Sequence, residues 1–552
     1  MRYVSYLLLF FTWSVTSFHA MAVSAEEKAL SGQWRLIGDS LDQSGNQNNG
    51  VNRGVLLKPD QPAVFDGRNA YIEVPDSESL SLGTGEFSIS VFVNTSAHLD
   101  DVIGTVLSKY DAKTRRGFQL SIKNHAGVTS SQSNDRHLQF GIDNGKMDAK
   151  WTDHGRLGEA ILVYSMAVYD GQLFAGTCVP GKEAAGRVFR FDGGQKWIDC
   201  GTPDVCNAVN SLAVFDGKLY AGTGKYRLKG SSLSESENPN WGGNVYRYEG
   251  DGKWVDCGNL PGVEAINGMV VYKGKLYASS MYAPAAFYRY DGGKQWTSCG
   301  VPDGKRVESM AVYNGDLYAT SYDAGAVFRF DGKDWTHAGK VGESTQTYGF
   351  TVYEGNLYVS EWPHAEVYRY AGKDKWELAG KLGDEKESMP MVVYNGKMYA
   401  GSLPLAEVYR YDGGVDWTNT GRLDMTPDVR YRRVWSMAVF QGRMFAGTLP
   451  AGRVHSIEAG KSATYDTALK PGWRHIAAVK EKDRLKLYVD GALVATSSAF
   501  DPADYDLTND KPLKIGFGAH DYFNGKMKDL KLVRRALNAD EIQKLYQADK
   551  QD

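Results

Sequence analysis

Cysteine and net charge are both scarce in this chain. Five cysteines in 552 residues are too few for a dense disulfide framework, and none follow C-x-x-C spacing, so a zinc site of that kind is not expected. Lysine and arginine number 63 against 66 aspartates and glutamates, a formal charge of −3. No basic stripe or acidic tail accompanies that balance, which argues against polyanion binding through overall field. Phosphate-loop glycine patterns and RNA-binding signatures are missing, so no nucleic-acid partner is expected. Beyond residue 25 no stretch reaches the roughly 18 uninterrupted apolar residues that a membrane span requires.

What is present in quantity is glycine, 62 residues, and aromatic side chains, 12% of the chain. Both favour sheets and turns over helices, and the length calls for two or more domains. Residues 1–25 combine Arg2, an apolar run from Leu7 to Val15 and small-residue exits near Ala22 and Ala25. That is the build of a secretory signal peptide, so the mature protein is expected to be secreted or periplasmic. In an oxidising compartment a disulfide between Cys178 and Cys206 is the expected pairing. Cys200, Cys257 and Cys299 recur at one repeat position and read as small buried hydrophobes.

The form Trp-x-x-x-Gly occurs seven times, beginning at Trp151, Trp197, Trp254, Trp296, Trp335, Trp376 and Trp417. A second element, SMAVYDGQLFAGT at 165–177, returns as SMAVFQGRMFAGT at 436–448, with five relatives between. Their turn glycines, Gly171, Gly217, Gly274, Gly315, Gly355, Gly396 and Gly442, step by 40 to 57 residues on subtraction. Such a period suits the four-stranded blade of a propeller, kelch-like or similar. Each unit reads as an apolar inner strand, a tight turn, an LYAGT-like strand, a VYRY-like strand and the Trp-x-x-x-Gly strand. The last unit lacks its Trp segment and the first is preceded by a spare one. Pairing Trp151–Gly155 with the end of the last unit closes the ring, and a seven-bladed β-propeller over 149–457 follows.

Either side of the ring the pattern changes. Residues 31–146 carry GQWRLIGDSLDQSGNQNNG, AVFDGRNAYIEVPDSESLSLGTGEFSISVFV and HLQFGID; residues 472–547 carry GWRHIAAVKEKDRLKLYVDGALV and LKIGFGAHDYFNGKMKDLKLVRRALNADEIQKLY. Taken in order, these resemble the laminin-G-like, concanavalin-A-like jelly-roll family. The resemblance implies an all-β sandwich split into residues 26–148 and 458–552, with the propeller inserted in a loop. Insertion there is tolerated because both ends of the inserted domain lie close together.

Candidate binding residues come from the positions that precede each inner strand: Tyr164, Asn210, Asn267, Glu308, Tyr348, Met389 and Trp435. Aromatic and amide groups round a channel mouth can stack on sugar rings and bond their hydroxyls, or merely plug the channel. Two irregular loops add Tyr226, Arg227 and Trp241, and Arg430, Tyr431, Arg432 and Arg433. The once-per-unit arginines Arg190, Arg247, Arg289, Arg329, Arg369 and Arg410 read as scaffold. For catalysis the candidates are His364, Tyr348, Glu361, Glu308 and Arg433, a set that would suit β-elimination or glycoside hydrolysis. The Asp42–Gly50 loop alternates oxygen-bearing side chains; it reads mainly as a turn, with calcium as the alternative, and no cofactor is expected.

The function expected is carbohydrate recognition at a surface glycan or polysaccharide. The alternatives are a propeller lyase or hydrolase acting on an acidic polysaccharide, and a scaffold for another envelope protein.

Overall fold

The computed structural model describes residues 29–124, 131, 133–146 and 150–548; the signal segment at 1–25 lies outside them. Among the described residues, apart from short 3-10 turns and one helix, Ala539–Ala548, the regular elements are strands. The repeat units fold as antiparallel meanders. In one, Glu387–Tyr394, Lys397–Leu403, Glu407–Gly413 and Asp416–Arg422 follow each other across a four-stranded sheet. The inner strand is buried along its whole length because neighbouring sheets cover both of its faces. It turns at Asn395-Gly396, both with positive φ (41° and 89°), the conformation a two-residue hairpin loop demands.

The expectation of seven separate blades is corrected by the pairing. Five four-stranded sheets stand alone, and the first two repeat units share one eight-stranded sheet. The cause is local: Leu162–Tyr169 and Gln172–Cys178 form one hairpin, and the far end of the second strand pairs with the next unit through Cys178 and Ala208. The expected disulfide between Cys178 and Cys206 does not form. Cys178 and Cys206 are both buried free thiols; Cys178 sits in an apolar cluster at the axis, while the Cys206 thiol faces the carbonyl of Ala208, 3.6 Å away.

Closure occurs where the orphan motif predicts it. Thr152–Arg156 completes the last sheet beside Arg453–Ile457, in the register Arg156↔Arg453, Asp153↔His455, Thr152↔Ser456. The structure also gives the motif its physical meaning. In six of the seven copies the indole N–H donates to the backbone carbonyl of the residue before the glycine in the neighbouring copy. The pairs are Trp197 to His154, Trp254 to Cys200, Trp296 to Cys257, Trp376 to Ala338, Trp417 to Ala379 and Trp151 to Thr420, at 2.8–3.2 Å. Trp335 is the exception, its buried indole N–H having no hydrogen-bond partner. Glycine follows the acceptor because its φ is positive, and at Gly339, Gly380 and Gly421 a Cβ would come within 2.8–3.0 Å of the incoming indole.

The remaining strands form two seven-stranded sheets facing across one core, which includes Trp34, Phe87, Phe118 and Phe140, and one two-stranded ribbon, Phe517–Gly518 with Asp521–Tyr522. Phe87–Thr95 pairs with Gly472–Glu481 in one sheet, joining chain segments from before and after the repeats. In the other, His137–Asn144 pairs with Lys461–Tyr465, a strand that the sequence reading did not assign. The turns of the inner hairpins rest on this sandwich. Gly171 N–H donates to the carbonyl of Asp466, Lys273 N–H to that of Leu99, and Asn395 Nδ2 to those of Ile142 and Ala459. Lys123, wholly buried, donates to the carbonyl of Val393, and burial holds its amine well below the ordinary lysine value. The sandwich therefore covers the turn side of the hairpins and not the loops at their other end. The calcium-like loop is internally engaged: Asp42 accepts from Gln33 N, Ser44 N, Ser44 Oγ and Asn48 N at 2.8–2.9 Å.

Two outcomes follow. Trp151→Ala removes an indole that packs with the core of the last two sheets and should cost about 3 kcal/mol. Amide exchange should accelerate at 434–457 more than at 162–199; equal acceleration would contradict the closure role. At the junction, burial pushes the Asp466 carboxyl up to about 7, against the pull of the Gln441 N–H and Lys123. A carboxyl raised above its unfolded value of about 3.9 weakens folding progressively as pH rises from about 4 to about 7. Asp466→Asn should flatten that fall in urea unfolding, and an unchanged slope would count against the assignment.

Candidate functional site

The axial residues owe their position to a backbone device. At Tyr164, Asn210, Asn267, Tyr348, Met389 and Trp435 the ladder between the first two strands of the unit slips register. A bulge of this kind inserts an unpaired residue and re-aims its side chain. The equivalent Glu308 stands just before Met310–Tyr313. All seven are buried, Tyr348 being the most exposed at 6%. Tyr164, Tyr348, Met389 and Trp435 share one apolar cluster with Tyr226 and Leu228 from the irregular loop. Rings meet at 4.8 Å for Tyr164 and Trp435, 5.3 Å for Tyr164 and Tyr226, and 5.5 Å for Tyr226 and Trp435. Tyr226 thus inserts into the ring, and its backbone is held by both ends of the Asn207 amide.

Two residues upstream of each axial position lies a second tier that sequence reading missed in part. In order round the repeats it runs Leu162, Ala208, Ala265, Arg306, Gln346, Glu387, Arg433. Three consecutive units contribute apolar side chains and the next four contribute polar ones. The missed signal was the period of two that brings alternate strand residues to one face. Arg306, Gln346 and Arg433 line a cavity of about 410 Å³ together with Tyr226, Tyr282, Tyr322, Tyr348 and Trp435.

The arginines of this cavity are paired with carboxylates. Arg433 lies 3.3 Å from Glu387, both nearly inaccessible, and donates to Ser231 Oγ at 2.9 Å. Its guanidinium also lies 5.1 Å from the Trp435 ring centre. Burial opposes its charge, yet Glu387 and the surrounding tyrosines hold its pKa above the ordinary arginine value. Arg306 forms a fork with Asp323, with distances of 2.8–3.1 Å, and lies over Tyr322. Burial raises the Glu308 carboxyl well above its usual range, with Tyr322 as its hydrogen-bonding neighbour pulling the other way. Beneath the cavity several buried polar atoms have no hydrogen-bond partner: both ends of the Asn210 amide, Asn267 Nδ2 and Glu308 Oε2.

Of the residues named from sequence, Tyr226, Arg227, Tyr348, Arg433 and Trp435 line one cavity, with Tyr164 stacked behind them. Tyr431 stands beside it, edge-on to Trp362 at 6.3 Å and below Arg430. Trp241 is 53% exposed and contacts Lys225; it does not line the cavity. His364 and Glu361 form a separate group on a neighbouring turn, so the five catalytic candidates do not assemble into one centre. The scaffold arginines behave as such: Arg247, Arg289, Arg369 and Arg410 each pair with a carboxylate on their own unit.

Arg433→Met would strand Glu387 as a buried unpaired carboxylate, and breaking such a pair costs about 3–5 kcal/mol. Arg433→Met with Glu387→Gln should recover most of that loss in urea denaturation. A single variant as stable as the parent would refute the pairing.

Residues 436–543 match the family described as the concanavalin A-like lectin/glucanases superfamily. The match starts on the last propeller-like sheet and runs through the second half of the sandwich. No curated protein matches the chain. Among solved structures, virginiamycin B lyase from Staphylococcus aureus is similar at 12% identity over 56% of this chain and 99% of its own, with a TM-score of 0.44. A streptogramin B lyase shows 10% identity, 56% and 97% coverage and a TM-score of 0.44. YCF48 bound to D1 peptide shows 12%, 57% and 97%, and 0.39. The chain thus combines a propeller-like array with a stretch similar to the concanavalin A-like lectins and glucanases.

Proposed function

We propose that this is an exported carbohydrate-recognition protein whose axial cavity takes a sugar residue of a surface glycan. The observation that carries the reading is the convergence of Tyr282, Tyr322, Tyr348 and Trp435 round the Arg433–Glu387 pair in one cavity. A pyranose presents apolar C–H faces, which stack on aromatic rings, and hydroxyl edges, which need fixed donors and acceptors. Arg306, Gln346 and Arg433 of the second tier supply polar groups, and the tyrosines and Trp435 the aromatic faces, in that one cavity. Counting the eight-stranded sheet as two blades gives seven round that axis. The cavity's three arginines, Arg227, Arg306 and Arg433, are matched by Glu264, Asp323 and Glu387, and the lining holds Glu235 as well as Lys229, a balance that favours neutral over strongly acidic sugars. The similarity of 436–543 to lectins and glucanases supports the same substrate class.

Glu308 supplies the observation for a second reading, glycoside hydrolysis. A carboxyl that burial raises well above its usual range, beside an arginine-paired one, is the asymmetry that acid–base pairs use. Release of reducing ends from neutral oligosaccharides, abolished in Glu308→Gln, would select it.

On the recognition reading, an oligosaccharide array should show binding by the full chain. Calorimetry with the best ligand should then lose roughly tenfold in affinity, about 1.4 kcal/mol, on Tyr282→Ala. Trp241→Ala, outside the cavity, should leave affinity unchanged. Binding unaffected by Tyr282→Ala, or abolished by Trp241→Ala, would place the sugar elsewhere.

A further inference from the structure

The turn that follows the second strand of each unit is tied by a side chain at one fixed slot, occupied by Thr177, Thr223, Ser280, Ser321, Glu361, Ser402 and Thr448. Six of these are hydroxyls. Ser402 Oγ accepts from Glu407 N at 3.1 Å and donates to Glu407 O at 3.0 Å. Thr177, Ser280 and Thr448 make equivalent bonds across their own turns. One oxygen is enough for this task. Glu361 performs it with Oε1 alone, accepting from His364 N at 3.0 Å and Glu366 N at 2.8 Å.

The carboxylate therefore brings a second oxygen that the fold does not use. Glu361 is fully buried, and its Oε2 accepts no hydrogen bond. His364 Nδ1 lies 3.6 Å from it, beyond hydrogen-bond reach, and is likewise without a hydrogen-bond partner. Glu366 completes the group: one ligand atom from each of Glu361, His364 and Glu366 lies within 4.8 Å of the other two. Tyr368 OH donates to Glu366 Oε2 at 2.6 Å, the kind of outer contact that orients a metal-ligating carboxylate. The following unit keeps the tyrosine–glutamate pair, Tyr409 to Glu407 at 2.6 Å, but has Ser402 and Leu405 in place of Glu361 and His364. Two ligand types thus appear together where the repeat departs from its own rule.

We propose that Glu361, His364 and Glu366 form a divalent-metal site that takes zinc or a similar first-row ion. Two carboxylate oxygens and an imidazole nitrogen suit such ions, and three protein ligands leave a coordination position for water or for an oxygen of a bound ligand. The site is separate from the axial cavity and does not depend on the carbohydrate reading.

The test uses the full chain, titrated with zinc chloride in a non-chelating buffer and followed by calorimetry and by thermal unfolding. A single saturable site is expected, with zinc raising the unfolding temperature. Glu361→Ser restores the hydroxyl that the other units use, so the turn stays tied while a ligand is lost. His364→Leu copies the next unit on a partly exposed side chain and keeps the test valid if E361S folds poorly. Each variant should weaken zinc binding roughly tenfold or more while keeping the zinc-free unfolding temperature of the parent. Absence of a saturable site in the parent, or equal binding by the parent and both variants, would overturn the proposal.

Discussion

The bond from an indole N–H to the carbonyl of the neighbouring Trp-x-x-x-Gly segment ties the outer edges of these sheets to one another. Each such bond contributes about 1 kcal/mol, and its effect is multiplied by geometry, because every link fixes one sheet relative to the next. Trp151 and His154 are both in the segment that precedes the repeats. Through them that segment donates to Thr420 on one side and accepts from Trp197 on the other. The ring cannot be joined without it. Once it is in place, the inner strands are held at the spacing that allows their bulged residues to meet at the axis.

The same closure satisfies the sandwich. Strands on either side of the repeats, Phe87–Thr95 and Gly472–Glu481, are hydrogen-bonded partners, so the inserted domain must begin and end at nearly one place. The first segment and last unit of the array are neighbours for their own reasons, and the two requirements coincide. Docking of the hairpin turns on the sandwich then covers one end of the axis with buried polar groups such as Lys123, Asn134 and Asn395, each given a backbone partner. The opposite loops, where the repeat is least regular, are left uncovered by the sandwich.

Much of this was legible in the chain. Seven Trp-x-x-x-Gly copies with one out of place were enough to locate the closing strand, because strand count and edge pairing leave little freedom. The slots before each inner strand could be picked out as a group, since the repeat defines them by alignment. Separate blades were overcounted because a single pairing, Cys178 with Ala208, depends on how far a strand extends beyond its repeat. The disulfide failed because proximity of two loops says nothing of where each thiol turns. Arg306 and Glu387 were overlooked although they lie two residues from positions already chosen, because alternation along a strand was applied to the core and not carried to the channel.

The Glu361 slot illustrates what a departure from a repeat's own rule can reveal. A position that hydroxyls fill in six units has a defined structural duty, and that duty sets what a side chain there must supply. A buried carboxylate costs more to place than a serine hydroxyl, so stability alone does not account for it. The second axial tier makes the same point by its asymmetry: Leu162, Ala208 and Ala265 pack, while Arg306, Gln346, Glu387 and Arg433 bring charge and hydrogen-bonding capacity at equivalent places. In a ring whose closure needs only like units, unlike residues at equivalent positions set one side of the axis apart from the other.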